Sequence, residues 1–156
     1  MIRLFYFLSD KSKLMSEYLF IKESSINRLG CFTKKFIPKD SLVAEYEGEL
    51  IHAEEAIKRE EDLNRAGIYT FWLNDFHAID GYRKGNHTKY LNHSCDPSCY
   101  YKIVENTILF FAARDIQQGE ELTIDYDYDA DSELTVCLCG SHNCRGYLND
   151  VSETVE

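Results

Sequence analysis

Proline and glycine are scarce in this sequence, two and eight among 156 residues, and no low-complexity run or internal repeat interrupts it. A chain so lightly punctuated offers no linker at which to divide it, and its length suits one domain that buries its own core. No apolar run is long enough for a membrane span: Met1 to Leu8 is apolar apart from Arg3, far short of the ~20 residues required, and has no cleavage-site pattern. The expectation is a soluble, intracellular protein, acting in cytoplasm or nucleus or after delivery into another cell. Basic residues are the minority, 17 against 27 acidic ones, for a formal net charge of −10. That balance argues against a nucleic-acid surface and for basic partners, although charge alone implies no more than solubility. Also missing are the Gly-x-Gly-x-x-Gly fingerprint, a phosphate-cradling Gly-rich loop and a Gly-x-Ser-x-Gly elbow. A doubly wound nucleotide-binding fold is therefore excluded, a nucleotide-type cofactor must bind in another way, and no serine nucleophile is indicated.

What is present reads as mostly β with short helices. Apolar alternation predicts strands over Tyr18 to Lys22, Leu42 to Tyr46, Tyr69 to Leu73, Ile108 to Ala112 and Glu121 to Ile124. His52 to Arg65 is charged, lacks Gly and Pro, and spaces Ala53, Ala56, Ile57 and Leu63 for one amphipathic helix. Turn chemistry at Ile37-Pro38-Lys39-Asp40 and Gln117-Gln118-Gly119-Glu120 stands just ahead of two of the strands.

Three of the six cysteines fall within Cys137-Leu138-Cys139-Gly140-Ser141-His142-Asn143-Cys144. Tetrahedral zinc on thiolates needs four ligands, so such a loop must borrow one, and the candidates are His142, Cys31, Cys95 and Cys99. Disulfides are the competing reading, disfavoured because Cys137 and Cys139 are too close for easy bridging and nothing marks an oxidising compartment. A second polar cluster, Gly85-Asn86-His87-Thr88-Lys89-Tyr90-Leu91-Asn92-His93-Ser94-Cys95-Asp96-Pro97, could by itself be a loop whose Asn and Ser side chains cap turns. Downstream, Gly119-Glu120-Glu121-Leu122-Thr123-Ile124-Asp125-Tyr126 reads as a strand ending on a tyrosine.

Taken in order, these segments resemble a SET-domain protein-lysine methyltransferase from about Glu17 to Leu148. The matching pieces are Arg28-Leu29-Gly30-Cys31-Phe32, Glu45-Tyr46-Glu47-Gly48, Tyr69-Thr70-Phe71, Asp80, Gly85-Asn86, Asn92-His93-Ser94-Cys95-Asp96-Pro97, Gly119 to Thr123, Asp125-Tyr126, and the cysteine tail ending Arg145-Gly146-Tyr147-Leu148. Each piece alone is weak, and together in register they are specific. The resemblance implies small sheets around a pseudoknot, with residues 1–16 an extension, 17–132 the SET domain, 133–149 a zinc-stapled post-SET segment and 150–156 a tail. It implies that Cys95 joins Cys137, Cys139 and Cys144 around one structural zinc, leaving His142 in a loop and Cys31 and Cys99 as small buried residues.

The implied activity is methyl transfer from S-adenosylmethionine to a lysine amine. The resemblance places the cofactor on the backbone of Asn27, Leu29 and Gly30, on Tyr69, Asn92, His93 and Tyr126, and under Leu138 and Tyr147 of the tail. Tyr126 takes the catalytic position, and Tyr69 and Tyr101 are the further catalytic candidates. The plainer reading makes these tyrosines core aromatics, and Asn92 and His93 partners for buried backbone. Glu45 and Gly48 are expected to be structural, and Asp127, Asp129, Asp131 and Glu133 to form an acidic rim for a basic, lysine-bearing partner such as a histone tail. A monomer without direct nucleic-acid or membrane contact is expected. The chain departs from the family where the usual Gly-x-Gly reads Arg28-Leu29-Gly30, where Lys89 replaces a common arginine, and where Ile124 replaces the phenylalanine or tyrosine that sets methyl number. Tyr101 is the alternative filler of that space. The competing functions are a catalytically silent SET-like binding module and a zinc-stapled interaction domain.

Overall fold

The computed structural model describes residues 17–128, 130 and 132–150. The expected extension over 1–16, Asp129 and Asp131 of the acidic rim, and residues 151–156 lie outside the described residues. Along the chain run β1 (Leu19–Glu23), β2 (Leu29–Thr33), β3 (Leu42–Glu45), β4 (Glu49–His52), α1 (Ala53–Glu60), β5 (Thr70–Asn74), β6 (His77–Asp80), α2 (Gly81–Lys84), a 3-10 turn (His87–Tyr90), β7 (Asn92–His93), β8 (Cys99–Val104), β9 (Thr107–Ala112) and β10 (Glu121–Ile124). They form three small sheets with strand orders β1-β2-β10-β7, β3-β9-β8 and β4-β6-β5.

The core lies between the sheets. Phe110, Leu19, Ile37, Ile108, Ile116, Leu122 and Val43 are fully buried, and burying each such side chain contributes roughly 1.5–3 kcal/mol. Both expected turns form: the Ser41 N–H donates to Pro38 O at 3.2 Å and the Glu120 N–H to Gln117 O at 3.1 Å. Gly119 serves the second with a φ of +84°, a conformation that glycine adopts without steric cost.

The five expected strands are present with small shifts at their ends. The helix is shorter than its sequence pattern, stopping at Glu60 instead of Arg65. Its charges suit the helix dipole, with Glu54 and Glu55 in the first turn and Lys58 and Arg59 in the last. Asp62 ends it: its carboxylate accepts the Asn64 N–H at 3.0 Å, a local bond that competes with helical ones. Arg65 instead sends Nη2 to Asp80 Oδ1 at 2.7 Å. The strands β2, β4, β6, β7 and β8 carry no readable alternation because they are short or hold Gly30 or paired polar residues. Among the described residues no helix is long and apolar enough to cross a membrane.

One piece of topology positions the functional residues. β10 lies between β2 and β7, antiparallel to the first with Glu121 opposite Phe32, and parallel to the second with Asn92 opposite Thr123 and His93 opposite Ile124. The loop before β2, the Asn92-His93 pair and the end of β10 therefore meet, although they are far apart in sequence.

Candidate functional site

Where β10 stops, the chain turns back across β7. The Tyr126 hydroxyl donates to Leu91 O at 2.9 Å and the Tyr126 N–H to His93 Nδ1 at 3.2 Å. Because His93 Nδ1 accepts, the neutral ring carries its proton on Nε2, which lies 3.3 Å from Cys95 Sγ. Burial holds the imidazole pKa down, with Asp125 opposing, so His93 is neutral. One imidazole thus links the tyrosine to a cysteine.

Tyr126 stands in an aromatic wall. Tyr128 stacks on it at 5.8 Å and His93 meets it edge-on at 5.5 Å. Tyr69 contacts Tyr90 and Tyr82 at 5.9 and 5.8 Å, and Tyr101 meets Phe71 edge-on at 5.0 Å. Backbone placement of Tyr69 is tied to the core, since the Tyr46 hydroxyl donates to Tyr69 O at 2.6 Å. Burial first, then the neighbouring phenols of Tyr128 and Tyr69, push the Tyr126 phenol well above its ordinary pKa. Burial likewise raises Tyr69 and Tyr101, and the Tyr101 hydroxyl donates to Asp127 Oδ2 at 3.1 Å. All three tyrosines are protonated at neutral pH.

Asn92 faces the loop before β2. Its Nδ2 lies 3.0 Å from Leu29 O and 2.8 Å from Glu121 Oε1, and Ser24 Oγ donates to the same carboxylate at 2.8 Å. Lys89 Nζ donates to Tyr82 O at 3.1 Å and lies 5.5 Å from the centre of the Tyr69 ring.

The cysteines converge beside this cluster. The Sγ atoms of Cys95, Cys137, Cys139 and Cys144 all lie within 4.8 Å of one another, and Cys95 and Cys137 are 3.7 Å apart. A tetrahedron of thiolates at ~2.3 Å from zinc has sulfurs ~3.8 Å apart, so the quartet could hold a zinc ion. Backbone donors support sulfur charge: the Arg145 N–H points to Cys95 Sγ at 3.5 Å and the Cys139 N–H to Cys137 Sγ at 3.4 Å. Burial opposes ionisation of Cys139, yet hydrogen bonds bring its thiol down to about 6, while burial pushes Cys137 up to about 12. His142 is exposed and outside the quartet. Cys31 and Cys99 are fully buried and their thiols are pushed up by burial, and none of the six cysteines is in a disulfide.

A family model described as SET domain matches residues 28–127, from the loop before β2 to the residue after Tyr126. The chain belongs to the SET-domain family. Among the relatives, the "Histone-lysine N-methyltransferase, H3 lysine-4 specific" of Schizosaccharomyces pombe is 39% identical over 144 residues, covering 88% of this chain and 16% of the relative. The "Histone-lysine N-methyltransferase trithorax" of Drosophila virilis is 40% identical over 139 residues, 85% of this chain and 4% of the relative. The human "Histone-lysine N-methyltransferase 2D" is 39% identical over 153 residues, 90% of this chain and 3% of the relative. The chain thus spans a sixth or less of the curated relatives it resembles here.

The departures of this SET domain from its family pattern have structural answers. Arg28 holds a φ of +37°, so the backbone keeps a left-handed turn where the motif has its first glycine, at a cost of roughly 1–2 kcal/mol for a side-chain-bearing residue. Gly30 makes room for another group: a Cβ there would lie 2.2 Å from Glu121 Oε1 and displace it. Gly48 is structural, since a Cβ would sit 2.6 Å from Asp80 O, and Glu45 O accepts from Asn86 Nδ2 at 2.8 Å. Ile124 is buried in the main core cluster, with Tyr101 and Phe71 packed at its edge. Sequence reading did not single out Ser24 or the pairing of Arg145 with Asp125, which the fold brings together across 20 residues. Opposite charges in two quoted motifs were the only available signal for that pair.

Proposed function

We propose that this chain is a protein-lysine N-methyltransferase that uses S-adenosylmethionine and acts on a basic, flexible protein segment, a histone tail being the first candidate. The observation that carries the reading is the meeting of Asn92, His93 and a protonated, half-buried Tyr126 at one end of β10, beside a four-thiol cluster. The relatives named as histone-lysine methyltransferases support the substrate class. S-Adenosylmethionine supplies a sulfonium-bound methyl group for in-line displacement by a neutral amine.

The chain's residues have separable tasks in this proposal. The backbone of Asn27, Leu29 and Gly30, with Asn92 and His93, receives the methionine part. Leu138 and Tyr147, 69% and 37% exposed, offer apolar faces for an adenine ring. Tyr69, Tyr101 and Tyr126 wall the lysine channel, and its aromatic surfaces exclude water and favour the uncharged amine. The Tyr126 hydroxyl orients that amine, and alignment supplies most of the rate. The quartet Cys95, Cys137, Cys139 and Cys144 holds zinc as a closed structural site, with 17–132 as the SET unit and 133–149 as its post-SET staple. We further propose that it acts as a monomer inside a cell. A catalytically silent module gains nothing from Arg28, because that residue preserves the left-handed backbone of the motif.

Titration calorimetry of the zinc-loaded chain tests the reading first. Saturable uptake of S-adenosylmethionine at one site is expected, and no uptake would remove the enzyme reading.

A further inference from the structure

We propose that Glu121 is a positioning residue for the methyl donor: its carboxylate fixes the Asn92 amide so that Oδ1 faces the donor and accepts from its ammonium group. This rests on the methyltransferase reading above. Asn92 Nδ2 carries two protons and is surrounded by Glu121 Oε1 at 2.8 Å, Leu29 O at 3.0 Å, Ser24 Oγ at 3.3 Å and Asn27 O at 3.5 Å. All four act as acceptors. Two are carbonyls, one is a carboxylate, and Ser24 has already committed its proton to Glu121, whose oxygens lie at 2.8 and 2.9 Å. An amide turned the other way would set Oδ1 against four acceptors, so its orientation is determined.

Both Asn92 N–H groups are therefore consumed by the protein, and Oδ1 has no protein partner among the described residues although the residue is only 5% exposed. An amide oxygen left without a protein partner is open to a donor on a bound molecule, and a cation is the strongest one. The amino-acid end of S-adenosylmethionine offers one ammonium and one carboxylate, and an acceptor selects the ammonium. Gly30 gives independent support: the absence of a side chain there leaves the space that the Glu121 carboxylate fills, 2.2 Å from where a Cβ would be. The glycine kept in Arg28-Leu29-Gly30 thus serves Glu121.

The test compares binding of S-adenosylhomocysteine and of its analogue lacking the α-amino group to the zinc-loaded chain, by calorimetry. The wild-type protein should prefer S-adenosylhomocysteine by about tenfold, the worth of one charge-assisted hydrogen bond. Glu121→Ala should bring the ratio close to one and raise the donor KM while kcat at saturation stays within about twofold. Glu121→Gln, whose carbonyl still accepts from Asn92, should recover most of the ratio. A folded Glu121→Ala protein that keeps the full preference, or a wild type that binds both compounds equally, would overturn the positioning role and leave the methyltransferase reading intact. Failure to bind either compound would instead remove the methyltransferase reading itself. If Glu121→Ala does not fold, hydrogen exchange of the Asn92 side-chain amide decides on the wild type: two slowly exchanging Nδ2 protons are expected, and fast exchange of both would overturn the proposal.

Discussion

Arg145 grips Asp125 with both ends of its guanidinium, Nη1 to Oδ2 at 2.6 Å and Nη2 to Oδ1 at 2.8 Å. Arg145 follows the last cysteine of the quartet and Asp125 precedes Tyr126, so this pair ties the tail to the catalytic candidate independently of any metal. The same guanidinium sends Nε to Tyr147 O at 3.1 Å and to Asn149 O at 3.0 Å. Replacing Arg145 by alanine should cost about 1–3 kcal/mol of tail docking, the worth of a charge-assisted bidentate bond. Faster zinc release to a chromogenic chelator, with little change in far-UV circular dichroism, is the expected outcome; unchanged release would show that the pair is dispensable.

Removing the metal should separate the tail from the core. The core strands draw on Phe110, Ile108 and Leu122, in a core cluster that includes no cysteine of the quartet, whereas the tail draws on ligation that is lost with the ion. Hydrogen exchange after chelation should therefore show lost protection over 133–150 and retained protection in β8, β9 and β10. Cofactor affinity should fall in the same samples, and full affinity after chelation would contradict the proposed staple.

Asp80 anchors a buried ion network. It is 5% exposed and accepts from Arg65 Nη2 at 2.7 Å and Arg59 Nη1 at 2.8 Å, and it caps α2 by accepting the Tyr82 N–H at 3.0 Å. Asp80→Ala strands the Arg65 charge and should destabilise the fold by about 3–5 kcal/mol, measured as a lower midpoint in urea. Burial pushes the Asp80 and Asp125 carboxyls up, but their arginine partners outweigh it and hold both pKa values below the ordinary carboxylate range. A carboxyl with a depressed folded-state pKa contributes stability that is fully present above its unfolded value of ~3.9 and is lost as pH falls through the folded value. Stability from these two groups should be level near neutrality and decline below about pH 4.

These ion pairs also mark where sequence reading stops. Asp80, Asp125 and Arg145 all stood in the recognised motifs, yet which charge meets which depends on sheet order, not on local pattern. The strands with clear alternation, such as Ile108 to Ala112 and Glu121 to Ile124, were legible because one face is core. Asn92-His93 was not legible as a strand, being two polar residues that pair with β10 only after the chain has returned. The quartet was three-quarters legible from spacing, and its member Cys95 came from family resemblance before geometry placed it 3.7 Å from Cys137. Gly30 was assigned to backbone contact with the cofactor, and no local pattern signals that its Cβ side also makes room for Glu121. The helix overran because Asp62 captures a backbone N–H, a competition that periodicity does not register.

The tyrosines of the proposed channel stay protonated and leave the pH profile to the substrate amine. Burial raises the phenols of Tyr126, Tyr69 and Tyr101 above their ordinary value of ~10, so none loses its proton at mildly alkaline pH. Methyl transfer at saturating donor should rise with pH as the substrate amine deprotonates and show no descending limb below about pH 10. A fall between pH 8 and 9 in folded protein would mean that a group other than these phenols controls the step.

The central claim rests on Tyr126, whose hydroxyl donates to Leu91 O at 2.9 Å with its ring held by Tyr128 and His93. Mass spectrometry of core histones and other basic proteins, incubated with S-adenosylmethionine and either wild-type or Tyr126→Phe protein, measures that claim directly. The account predicts methylated lysine with the wild type and a loss of about 100-fold or more in the variant, which keeps its fold and its binding of S-adenosylhomocysteine. Equal methylation by the two proteins, or none by a wild type that binds the cofactor, would contradict it.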